Sequence, residues 1–70
     1  MRLQLNKLHI AALQNPSINE RFVPAALEAA QQEVSDLHWL LRELGEDSPE
    51  IDSIIEDIEF IEGLPGYKEP

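Results

Sequence analysis

Cysteine is absent from these 70 residues, which removes disulfides and every thiolate-based zinc site as sources of stability. Glycine is scarce as well, and none of the three lies in a phosphate-cradling loop or a Gly-x-Ser-x-Gly elbow. No apolar run approaches the ~20 residues that a membrane span requires, and no basic-then-apolar leader opens the chain. The expectation is a soluble, cytoplasmic protein with no membrane association. Basic residues are few: five Lys and Arg stand against 14 Asp and Glu, for a formal charge of −9.

That charge is unevenly placed. Residues 1–42 carry Arg2, Lys7, Arg21 and Arg42 against Glu20, Glu28, Glu33 and Asp36, which sums to zero. Residues 43–70 carry ten acids and one base, Lys68, so the whole excess lies there. Such a surface repels phosphates and anionic lipid and attracts basic proteins. Direct nucleic-acid binding is not expected.

Length sets a further limit. Ordering 70 residues costs on the order of 100 kcal/mol of conformational entropy, and burial in so small a monomer barely offsets it. One domain spanning 1–70 is expected, with self-association into a homodimer supplying additional burial.

What is present is helical periodicity. Between Pro24 and Gly45, residues Leu27, Ala30, Val34, Leu37, Leu41 and Leu44 recur at alternating spacings of three and four. This predicts a helix over about 24–44 whose stripe forms a core or an oligomer seam. Pro24 suits its first position and Gly45 a left-handed stop. Asp47 and Glu50 have capping-box spacing before a second helix over about 49–62, with Ile51, Ile54, Ile55, Ile58 and Ile61 as its apolar face. Gly63 and Pro65 end it, and Leu64 is placed for the hydrophobic contact of a glycine cap. A connection this short makes the pair an antiparallel hairpin.

An additional N-terminal helix is predicted over about 3–14, stopped by Asn15-Pro16 and laid across the hairpin. Ser17 and Glu20 form another capping-box spacing ahead of a single turn over 18–22. Residues 64–70 are expected to be an extended tail pinned by Tyr67. The fold class is all-α.

Catalytic signatures are missing. His9 and His38 have no Glu, Asp or His three or four residues away, so neither a metal nor another cofactor is expected. The loop 46–52 is rich in oxygen ligands but lacks the spaced acids and the glycine of a calcium loop. Neighbouring carboxylates such as Glu56 and Asp57, or Glu59 and Glu62, would need a pocket to separate their proton affinities, and a helical hairpin offers little concavity. A non-enzymatic protein is expected.

The informative residues are surface candidates. At about 100° per residue, Trp39 falls opposite the leucine stripe and Phe60 away from the isoleucine stripe. Either the N-terminal helix covers Trp39, within the chain or across a dimer, or these aromatics anchor another protein. On the second helix Asp52, Glu56 and Glu59 cluster on one flank, with Glu50 and Asp57 on the other. No Lys or Arg between Arg42 and Lys68 relieves their repulsion. The expected function is a small inhibitory or modulatory protein that docks Asp52, Glu56, Asp57 and Glu59 on a basic partner, with Trp39 and Phe60 as anchors. Antitoxins and phage inhibitors of nucleic-acid-handling proteins are the analogy, drawn from size and charge. The alternative is a homo-oligomerisation module without an inhibitory role.

Overall fold

A computed structural model describes residues 5–45 and 47–70. Among them the chain forms three helices and no strand: α1 (Lys7–Gln14), α2 (Val23–Glu43) and α3 (Ile51–Glu62). The expected positions 3–4 of the first helix, and Glu46 of the acidic loop, lie outside the described residues.

α1 starts later than the periodicity predicts. Asn6 has extended backbone, and its side-chain oxygen accepts the His9 backbone N–H at 2.8 Å. Such a cap satisfies one of the donors that a helix start leaves unpaired, so it fixes the first turn there. The return to α2 is held by backbone bonds, Asn19 N–H to Asn15 O and Phe22 N–H to Asn19 O. α2 then begins at Val23, which puts Pro24 in the first turn, where its missing N–H costs nothing.

Three predicted termini differ in detail. No glycine among the described residues has a positive φ. α2 is left through Leu44, whose extended ψ of 140° breaks the helix before Gly45 is reached. At α3, Asp47 does not cap: Glu50 precedes the helix in a right-handed conformation without a side-chain cap bond. The tight turn in which Ile51 N–H reaches Ser48 O sets this entry, and the Ser48 hydroxyl accepts the Glu50 N–H. At the far end Gly63 continues the right-handed turn, with φ −84°, and Leu64 folds into the core.

α1 and α3 each pack on α2 and not on each other. The core joins Ala12 and Leu13 of α1, Ala26, Ala30, Val34 and Leu37 of α2, and Ile54, Ile58, Ile61 and Leu64. Ala26 and Ala30 are one turn apart and fully buried, and their small size lets the backbones approach closely. Leu27, Leu41 and Leu44 are partly buried against the same cluster. Of the predicted stripe, Ala30, Val34 and Leu37 are thus in the chain's own core. Leu13, Leu37, Ile54 and Ile61 are its largest fully buried side chains, each worth ~1.5–3 kcal/mol of transfer from water.

The C-terminal segment is part of this fold. After Leu64 the chain turns, and Gly66, itself buried, donates its N–H to Leu13 O at 2.7 Å. The Gln31 side-chain amide donates to Lys68 O at 2.8 Å. Tyr67 is partly buried against the core. A strap from the end of α3 thus reaches α1, which α3 itself does not touch.

Candidate functional site

The surface candidates are set by how α3 rolls on α2. α3 buries Ile54, Ile58 and Ile61 of the predicted isoleucine stripe, rolled far enough to take in Asp57 and to bring Ile55 to the surface. Asp57 is only 4% exposed, and no buried side-chain polar atom among the described residues lacks a hydrogen-bond partner. This corrects the sequence expectation: Asp57 is an interior carboxylate, not a docking residue. Periodicity cannot anticipate this, because an acid at a core position reads as a break in the stripe.

Asp52, Glu56 and Glu59 are all exposed, and Glu62 one turn further on is exposed as well. Spacings of four and three keep Asp52, Glu56 and Glu59 on one outward side of α3 over ~10 Å, while Glu62 turns from that line toward α2 and the C-terminal strap. Phe60 lies outside this line and is 37% exposed.

Trp39 is 55% exposed, and α1 does not cover it. The reason is angular: Leu37 faces the core, and two further residues rotate Trp39 ~200° away from it. Its neighbours on that outer side, Gln32 and Asp36, hydrogen-bond to each other at 2.9 Å. The body measures 42 × 19 × 16 Å.

A concave feature lies elsewhere. Gln31, Val34, Ser35 and His38 of α2, Glu62 of α3, and Tyr67, Glu69 and Pro70 of the strap line a groove of about 320 Å³. Burial raises the Tyr67 hydroxyl above its usual value near 10, and the nearby Glu62 and Glu69 carboxylates push it further. Residues 31, 35 and 38 share one helical face, a polar spacing visible in the sequence. Their conjunction with Tyr67 and Glu69 depends on the strap and was missed.

No protein family, curated protein or solved structure matches this chain.

Among the described residues no group of three or more His, Cys, Asp or Glu is gathered to hold a metal ion, and no helix is long and apolar enough to cross a membrane. The site's resources are thus charge, a shallow groove and exposed aromatic surface.

Proposed function

We propose that this chain is a small, non-catalytic protein-binding modulator. It docks the outer side of α3 on a basic protein surface and inhibits what that surface does. The carrying observation is the exposed line Asp52, Glu56 and Glu59, with no Lys or Arg anywhere between Arg42 and Lys68 to neutralise it. A helix that retains such self-repulsion is suited to meeting opposite charge. Where the basic surface normally holds nucleic acid, the carboxylates would occupy the place of phosphates. The working compartment in this reading is the cytoplasm.

The test is a nuclease-treated lysate pull-down eluted by a salt gradient, with native, Glu56→Lys/Glu59→Lys and Trp39→Ala baits. The reading expects one basic protein released by moderate salt, lost with the charge reversal and retained with Trp39→Ala. Recovery of only the bait's own chain from all three would overturn it.

A second reading, a homo-oligomerisation module, draws on a different observation. Ile18 and Phe22, at the turn into α2, are 81% and 64% exposed, in the half of the chain whose charges sum to zero. A homodimer through that end would hide apolar surface and keep the two acidic halves apart. Sedimentation of the native chain beside Phe22→Ser distinguishes it.

A further inference from the structure

The groove beside the strap has a construction that the acidic line lacks. Its floor is Val34, nearly buried in the core cluster. On one side stand Gln31, Ser35 and His38, and on the other Tyr67 is held by the bonds at Gly66 and Lys68. Glu62 and Glu69 line the same groove as Tyr67, so two carboxylates and an aromatic ring share one concave surface.

We propose that this groove receives an arginine side chain from the basic partner. The guanidinium lies against the Tyr67 ring and donates to the Glu62 and Glu69 carboxylates, while its methylenes rest on Val34. This rests on the reading of the chain as a binder of basic surfaces and adds the point of insertion. Charge selects the occupant: among the described residues two carboxylates line the groove, and neither Lys nor Arg does. An anion would be repelled, and an apolar group would strip water from both acids without compensation. At about 320 Å³ the groove lies at the small end of ligand sites, suited to one inserted side chain. Arginine is favoured over lysine because a planar guanidinium stacks on an aromatic face and bonds carboxylates through several donors at once.

The experiment is a titration of the 15N-labelled chain at low ionic strength with acetyl-Gly-Arg-Gly-amide, its lysine analogue and its citrulline analogue. The expected result is saturable shifts at the Gly66 and Tyr67 amides and the Gln31 side-chain amide. Arginine should bind about fivefold more tightly than lysine, and citrulline should not bind measurably. Glu62→Gln should weaken arginine binding about fivefold, whereas Glu56→Gln, an equal loss of charge outside the groove, should change it less than about twofold. Both positions are exposed, so both variants should keep the native circular dichroism. Shifts centred on Asp52, Glu56 and Glu59, or equal losses from the two variants, would overturn the groove and leave the acidic face standing. Absence of saturation with any peptide also overturns the groove, and the pull-down then judges the broader reading separately.

Discussion

The backbone N–H of Gly66 donates to the carbonyl of Leu13 at 2.7 Å, closing the C-terminal strap onto a helix more than fifty residues earlier. Leu13 is also among the largest fully buried side chains, so this bond ties the strap to the core. α1 has only eight residues, too few for a helix to persist in water without tertiary support. The strap and the alanine face of α2 provide that support.

Substituting Gly66 should therefore be costly. A Cβ there would lie 3.0 Å from Leu13 O, 3.1 Å from its Cα and 3.2 Å from its Cδ2, two of them backbone atoms that cannot swing aside. Gly66→Ala is expected to lose ~1–3 kcal/mol, a fall in Tm of roughly 4–8 °C per kcal/mol. Gly45→Ala meets nothing within 4 Å at a residue without positive φ, and should be neutral or gain ~0.4–1 kcal/mol. Thermal melts of the two variants check the contrast.

Adjacent residues on α3 should behave oppositely. Glu56→Lys places a cation among exposed acids and should be neutral or slightly stabilising. Asp57→Lys forces an ammonium into the interior and removes a carboxylate whose partners remain, a loss of ~3–5 kcal/mol. Against the ~3–10 kcal/mol that a chain of this size possesses, the second variant should be largely unfolded. Far-UV circular dichroism at 37 °C reads the difference.

The same separation applies to apolar residues of α2. Leu37→Ala should cost ~2–5 kcal/mol through an unfilled cavity. Trp39→Ala, on the outer side, should alter stability by less than about 0.5 kcal/mol. Urea unfolding curves of both variants test whether Trp39 is surface; a large loss at Trp39 would mean that it is covered in solution.

Tyr67 makes stability fall in alkali. Burial, aided by Glu62 and Glu69, holds the phenol protonated in the fold above its ordinary value of 10.0. The folded state thus binds the proton more tightly than the unfolded one, and the contribution is fully present below pH ~10 and lost as pH rises through the folded value. Tyr67 is the only tyrosine, so absorbance near 295 nm should report a single late titration. In Tyr67→Phe the pH slope of stability above pH ~10 should be shallower than in the native chain.

The helical repeats and the charge imbalance are properties of neighbouring residues, and spacing alone determined them. Leu37 and Ile54 read as core because a 3.6-residue period repeats along the chain. Asp52, Glu56 and Glu59 read as surface for the same reason. Tertiary structure alone decided the roll of α3, which buried Asp57 and exposed Ile55, since rotation about a helix axis depends on the shape of the opposing face. It also decided that Trp39 stays exposed, not covered by α1, and that a glycine-proline tail becomes a strap. Contacts such as Gly66 to Leu13 join residues too distant in sequence for any local period to link them, and the groove exists only because that contact forms.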